Sequence, residues 1–337
     1  MASGVAGPET LMPEPRPTPP GDGDWSRAFG HLTVLGPEAV ADLVLEPAGV
    51  YVDGTLGGGG HSRLILAALG PEGRLIALDR DPEPRRWAEA GWGRTEGRLT
   101  VAAASFGDLG GVLAGMGRGP VDGVLLDLGV SGRQLAAPGR GFSWLSDEPL
   151  DMRLNQAQPL TAREVVNRYP EKVLADVLHL YGEERAARRL ARAMVQARSR
   201  APLETTGQLA ALTARVLHRP GPPPRLHPAT RTFQALRLEV NRELQELEKF
   251  FKAAPSLVKP GGRLVIISFH SLEDRLVKTA FRAVDEDGNP RWLPLAKKPR
   301  RPETVEIERN PRARSAKMRA AVRLAAPGSP GRDLRPV

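Results

Sequence analysis

The sequence predicts an α/β protein, a doubly wound and mostly parallel sheet with an inserted all-helical domain. Three observations predict it. Short apolar runs alternate with helical patterns from Gly49 to Leu128. The strand signal then stops between Ser131 and Pro228 while helical spacing takes over, and it resumes at Arg263. At 337 residues the chain has room for about two domains, on a prior of roughly 150 residues each.

Taken in order, residues 1–29 are crowded with Pro, Gly and acids and lack a basic start followed by an apolar run, so they read as a disordered tail rather than a signal peptide. The first part of the sheet domain spans 30–131. It contains the strand Val50–Asp53, a glycine-rich loop, a helix from Ser62 to Leu69, and a strand from Arg74 ending at Asp79. Leu99–Ala103 and Val121–Leu128 are apolar runs bounded by Gly, Pro or charge, as expected of strands buried on both faces.

The helical insertion spans 132–228. Thr161 followed by Glu164 forms a capping-box signature, Glu183 to Arg200 reads as a strongly basic helix, and Pro220-Gly221-Pro222-Pro223-Pro224 is a helix-breaking linker. The second part of the sheet domain spans 229–325. Phe233, Leu236, Val240, Leu244, Leu247 and Phe251 recur at three- and four-residue steps, predicting one amphipathic helix. Lys259-Pro260-Gly261-Gly262 turns into a strand from Arg263 to Phe269. Val305–Glu308 and Arg319–Leu324 alternate with period two, predicting an antiparallel hairpin at a sheet edge, and 326–337 form a second tail.

Composition narrows the function classes. Lys and Arg number 48 against 39 Asp and Glu, a net charge of +9 that favours a polyanionic partner, nucleic acid first. The complete lack of cysteine excludes disulfides, thiolate metal sites and thiol nucleophiles. Aromatic residues make up only 5%, which argues against an open base-stacking platform. No stretch approaches the roughly 20 apolar residues of a membrane-spanning helix. Six scattered histidines without a His-x-x-x-His helix predict no metal.

The loop Asp53-Gly54-Thr55-Leu56-Gly57-Gly58-Gly59-Gly60-His61 follows a predicted strand and opens a helix. Residues without side chains let a ligand approach the backbone, and a helix start offers unpaired N–H donors. Asp79, at the end of the next strand, stands where a carboxylate would bond a ribose diol. A flexible loop beside a capping aspartate is the plainer alternative. A phosphate-binding P-loop needs Lys and Ser or Thr after its last glycine, whereas Gly60-His61 stands there. The loop instead resembles the Asp-x-Gly-x-Gly-x-Gly loop of class I S-adenosylmethionine methyltransferases, a Rossmann-like fold, with Thr55 replacing the first glycine. That resemblance turns Asp53 toward the cationic methionine end of the cofactor.

Longer stretches carry a more specific resemblance. They are His31-Leu32-Thr33-Val34-Leu35, the glycine loop through Ser62, Asp79-Arg80-Asp81-Pro82, Asp127-Leu128-Gly129-Val130-Ser131, Arg140-Gly141-Phe142-Ser143 and Leu150-Asp151-Met152-Arg153. Thr230–Arg237, Ser268–Arg275 and Asn310–Lys317 complete the set. Together they resemble, in order from His31 to Leu324, the signature stretches of the RsmH (MraW) family, bacterial 16S ribosomal RNA cytosine-N4 methyltransferases. The resemblance implies S-adenosylmethionine as cofactor, held by Gly59, Gly60, His61, Asp79, Phe106, Asp127 and Gln134. It also implies 16S ribosomal RNA within the small ribosomal subunit as partner and a cytoplasmic location; the oligomeric state, a dimer included, stays open. Ser131-Gly132-Arg133-Gln134 departs from the family's Ser-Ser-Pro-Gln.

The exocyclic amine of cytosine is a poor nucleophile because its lone pair is delocalised into the ring, so an acceptor beside it would help. Asp127, Ser131 and His270 are the catalytic candidates. Each has a structural alternative: Asp127 and Ser131 as turn formers, and His270, with Glu273, as a helix cap. Arg309, Arg312, Arg314 and Lys317 are candidate RNA contacts on the expected hairpin, with Lys297, Lys298, Arg300 and Arg301 just before it. Arg185, Arg188, Arg189 and Arg192 could form a second wall or simply a solvated face. Two rival functions remain at this point: a nicotinamide-dependent oxidoreductase built on the same loop, and a noncatalytic ribosome-assembly factor.

Overall fold

The computed structural model describes residues 33–92, 95, 97–218 and 227–325. The expected tails at 1–29 and 326–337, and the linker at 220–224, lie outside the described residues. Seven strands form one sheet: β1 (Val50–Asp53), β2 (Arg74–Leu78), β3 (Leu99–Ala102), β4 (Val121–Asp127), β5 (Val258–Ser268), β6 (Trp292–Pro294) and β7 (Lys317–Arg323). Their order is β3-β2-β1-β4-β5-β7-β6, parallel from β3 to β5, with β7 antiparallel to both its neighbours. This is the doubly wound, Rossmann-like class I methyltransferase arrangement with an antiparallel hairpin at one edge. The strand order reverses between β1 and β4, which opens a crevice beyond their C-terminal ends.

The central strands are apolar throughout because both faces are covered. On one face Tyr51, Leu75, Leu125, Val265 and Ile267 pack against α1 (Gly36–Leu43) and α2 (Gly60–Ala68). The alternate residues Val52, Ile76, Val124, Leu126, Leu264 and Ile266 face α4 (Leu109–Gly115), α11 (Glu243–Leu257) and α12 (Ser271–Ala280). Between β2 and β3 runs α3 (Pro82–Gly91), its N-cap Asp81 accepting from the Glu83 N–H.

After the short helix α5 (Gly132–Ala136) come α6 (Ala162–Arg168), α7 (Glu171–Leu180), α8 (Ala187–Arg198), α9 (Thr206–Leu217) and α10 (Ala229–Asn241). They enclose a separate core of Val165, Leu174, Leu178, Leu190, Met194, Leu209, Phe233 and Leu236. Thr161 caps α6 through the capping box that its spacing with Glu164 predicted. Helix α10 packs into this helical core rather than onto the sheet.

Three elements differ from the sequence expectation. The single amphipathic helix expected from Phe233 to Phe251 is two, α10 and α11, broken at Arg242 with φ 50°. The cause is tertiary. Asn241 donates to Met152 O (2.7 Å) and accepts from Leu154 N (2.8 Å), while its own carbonyl accepts from Arg80 Nη1 (2.6 Å). The basic helix expected from Glu183 begins only at Ala187, because Glu183 sits at φ 48° and Glu184 caps the turn by accepting from the Ala186 N–H.

The third correction concerns the edge hairpin. Its partners are β6 and β7, whereas Val305–Glu308, expected as a strand, lies in the helix α13 (Thr304–Arg309). Four alternating residues are too few to separate a strand from a short helix, and Val305 is 54% exposed with no apolar face to meet. Glu306 instead accepts from the Leu35 N–H at 2.8 Å. The Lys259–Gly262 turn is absorbed into β5 as an irregularity: Val121 pairs with Val258, and Gly123 with Arg263.

Candidate active site

At the C-terminal ends of β1, β2, β4 and β5 lies a cavity of about 900 Å³, its open mouth included. Gly54, Gly57, Gly58, Gly60, Asp79, Phe106 and Asp127 are among its lining residues.

The glycine loop is pinned from beneath. Asp53 is fully buried, and its carboxylate accepts from Ser62 Oγ (2.5 Å) and the Thr55 N–H (3.0 Å). Burial pushes its carboxyl above the ordinary range. Asp53 does not line the cavity; it ties β1, the loop and α2 together beneath it. Gly59 also turns away from the cavity: at φ 75°, a Cβ there would run into the Trp92 ring, so a left-handed turn and a close approach both demand glycine. Among the expected cofactor contacts, then, Gly60 and His61 line the space while Gly59 shapes the loop.

Asp79 lines the opposite wall. Its carboxylate accepts from the Gly57 N–H (3.0 Å) and the Asp81 N–H (2.8 Å), and burial pushes its pKa up to about 6. Phe106 contributes a nearly buried ring, set edge-on to Phe250 at 6.2 Å between centroids. Ser131 and Gln134 also border the cavity, but they form the capping box of α5. The Gln134 amide accepts from Ser131 N (2.8 Å) and donates to Asp81 Oδ2 (2.9 Å), so both its ends are engaged within the fold.

Asp127 closes β4 at the centre of the crevice. Its N–H donates to Thr55 Oγ1 (2.6 Å), its Oδ2 lies 3.5 Å from His61 Nδ1, and its Oδ1 is buried without a hydrogen-bond partner. Burial, followed by the negative charges of Asp53 and Glu273, holds its carboxyl well above the ordinary range. His61 Nε2 bonds to the Val34 carbonyl at 3.1 Å, and burial pushes the ring down to about 4, so it is neutral near pH 7.

His270 is not brought to the cavity. It is the N-cap of α12, where Nδ1 accepts from the Glu273 N–H (3.4 Å) and Nε2 lies 3.1 Å from Glu273 Oε1. Glu273 is the member of that capping box that reaches the cavity. Its burial alone would raise its pKa, but the His270 ring and Arg237 hold it below the usual carboxylate value.

Comparison with known proteins assigns this geometry to a family. The family model described as "MraW methylase family" matches residues 28–324. The chain belongs to that family. It is 47% identical over 309 residues to the "Ribosomal RNA small subunit methyltransferase H" of Geobacter sulfurreducens, covering 88% of this chain and 99% of that one. Against the protein of the same name from Bradyrhizobium diazoefficiens it is 49% identical over 314 residues, covering 88% and 92%. Among solved structures, an rRNA methylase from Streptococcus thermophilus overlays with a TM-score of 0.39 at 9% identity, over 86% of this chain and 93% of that one. The fold rests on the strand order. Membership of a methylase family answers the nicotinamide alternative.

In this MraW-family chain three of the four expected RNA contacts lie apart from the edge hairpin, and only Lys317 is on it. Arg309 closes α13, and Arg312 and Arg314 sit in a 3₁₀ turn over Pro311–Ser315; all three are exposed. Lys317 opens β7, where Asp274 accepts from its ammonium at 3.0 Å and from Arg319 Nε at 2.7 Å. Arg185, Arg188, Arg189 and Arg192 are exposed on α8 and the turn before it.

Three cavity features of this MraW-family chain escaped the sequence reading. Thr55, taken as a stand-in for glycine, anchors Asp127. Glu243 lines the cavity and is paired with Arg237 at 2.8 Å; the sequence reading did not single it out. Leu154, from the loop before α6, reaches the cavity because Asn241 holds its N–H. Among the described residues, no group of three or more His, Asp or Glu converges as metal ligands, and no helix is long and apolar enough to cross a membrane.

Proposed function

We propose that this chain transfers a methyl group from S-adenosylmethionine to N4 of a cytidine in 16S ribosomal RNA of the small ribosomal subunit, in the bacterial cytoplasm. The observation that carries the chemistry is Asp127 Oδ1, a buried acceptor without a partner at the base of a glycine-lined cavity. Buried polar atoms are rarely left unpaired unless a ligand or water completes them.

The residues present fit the cofactor. Gly57, Gly58 and Gly60 bring bare backbone to the cavity, Asp79 offers a carboxylate to a ribose diol, and Phe106 offers an apolar wall to a purine. S-adenosylmethionine, when bound, supplies an electrophilic methyl on a sulfonium, and such transfer depends chiefly on holding donor and acceptor in near-attack geometry.

Asp127 Oδ1 accepts a hydrogen bond from the cytosine amine, which favours localisation of its lone pair, orients it, and gives the proton that N4 loses on methylation an acceptor. The Thr55 anchor keeps that oxygen in place. Ser131 supports the adjoining turn. The target base must leave its stack to reach this depth. Arg309, Arg312 and Arg314 fit contacts to RNA phosphates, and the helical layer at 132–228 fits a module that positions the RNA.

The names of the relatives support a small-subunit rRNA substrate. The test is incubation of the purified chain with labelled S-adenosylmethionine and unmodified small subunits, followed by mass spectrometry of the RNA. Label on N4 of a cytidine is the expected outcome, and it should fall at least about 100-fold in a folded Asp127→Ala variant. Tight binding without transfer would instead point to an assembly factor.

A further inference from the structure

His61 is the only titratable side chain whose ring touches both the backbone before α1 and the Asp127 carboxyl among the contacts of the described residues. A carbonyl oxygen can only accept, so the 3.1 Å contact to Val34 O puts a hydrogen on Nε2. The neutral ring then turns the lone pair of Nδ1 toward Asp127 Oδ2, 3.5 Å away, with the two side chains only 5% and 10% exposed. An ionised carboxylate in that position would set two nearly enclosed acceptors face to face. A single proton between them removes the conflict.

We propose that His61 and Asp127 hold one proton in common between Nδ1 and Oδ2, which leaves Asp127 Oδ1 a pure hydrogen-bond acceptor. His61 is thereby the positioning residue that makes the site accept an amine, and reject a carbonyl, at position 4 of a pyrimidine. The specificity part rests on the methyl-transfer reading above; the proton sharing does not.

The surroundings favour this arrangement. The charged groups facing Asp127 are the carboxylates of Asp53 on β1 and Glu273 on α12, and both disfavour a second negative charge beside them. His270 and Arg237 stand behind Glu273 and offset its charge rather than that of Asp127. Burial likewise resists a positive charge on His61. The pair is therefore neutral, with the proton on the carboxyl side. A cytosine amine donates to Oδ1, whereas the O4 of uracil would face another acceptor. Sites that bond a specific donor can reject an analogue lacking it by about 10⁴-fold.

The proton is read directly by ¹⁵N-imidazole NMR on the full, ligand-free chain labelled in histidine, between pH 5 and 9. The expected His61 signal is neutral, protonated at Nε2, and has an Nδ1 shift displaced by an accepted hydrogen bond; in Asp127→Ala that shift returns to the value of a free lone pair. An Nδ1-protonated tautomer, or an Nδ1 shift indifferent to Asp127→Ala, overturns the proposal. Should Asp127→Ala fail to fold, His61→Gln serves: its amide can still reach Val34 O but has no Nδ1. Expected for His61→Gln is a kcat about tenfold or more below wild type and a changed pH profile. A wild-type pH profile and kcat in that variant would overturn it. If wild type transfers no methyl while the NMR result holds, the functional reading fails and the shared proton stands; transfer without the NMR signature gives the converse.

Discussion

The backbone N–H of Asp127 donates to Thr55 Oγ1 at 2.6 Å, joining the end of β4 to the loop that follows β1. The residue that stands in place of a loop glycine therefore fixes the position of the proposed acceptor. Thr55→Val keeps the shape and removes the oxygen, stranding a poorly solvated N–H at a cost of about 1–3 kcal/mol. Expected are a Tm lowered by several degrees and a kcat lowered more than tenfold, with Thr55→Ser restoring both. Wild-type kcat in Thr55→Val would detach this bond from catalysis.

Asp79 carries a pH signature. Its folded pKa of about 6 lies above the unfolded value of 3.8, so its contribution to stability is fully present below about pH 4 and is lost as pH rises through 6. Asp79→Asn has no such loss. The difference in Tm, variant minus wild type, should rise between pH 4 and 6 and level off above, whatever its absolute offset. Calorimetry of the ligand-free protein across that window checks it, and a flat difference contradicts it. S-adenosylmethionine affinity should fall about tenfold or more in the same variant, since a diol loses its charged acceptor.

Arg242 occupies the left-handed region at φ 50° to separate α10 from α11. A side chain there costs about 1 kcal/mol relative to glycine. Arg242→Gly should raise stability by about 0.5–1 kcal/mol in urea denaturation with an unchanged m-value. A loss of stability would mean that the Arg242 side chain does more than tolerate the turn.

Arg312 and Arg314 are exposed, while Lys317 is half-buried and tied to Asp274. Replacing either arginine by alanine should weaken binding to small subunits and lower the log–log salt slope by about 1 per lost phosphate contact. Cofactor affinity should be unchanged. Lys317→Ala should alter the slope less and stability more. Equal effects of all three on the slope would place Lys317 among the phosphate contacts despite its partner.

Much of the sheet was legible because its central strands are buried on both faces and show as unbroken apolar runs, as at Val124–Leu126. The cavity was legible for a related reason: a loop of four consecutive glycines after a strand has few structural uses. What escaped depends on contacts distant in sequence. The break at Arg242 is imposed by Asn241 reaching Met152 and Leu154, and nothing within the helical period of 233–251 announces it. Gly59 was read as a ligand contact, and sequence does not reveal that the Trp92 ring fills the space a Cβ there would take. His270 carried two equally sound readings, and it is built into a capping box with Glu273.

The bond from the Leu35 N–H to Glu306, spanning 271 positions, has a consequence for biogenesis. Leu35 adjoins Val34, whose carbonyl orients His61, so a groove begun by residues before α1 is finished by α13, far along the chain. A nascent chain still lacking α13 should hold the glycine loop but not its settled imidazole. Competence would then arrive only once α13 has been synthesised, well after the glycine loop has left the exit tunnel.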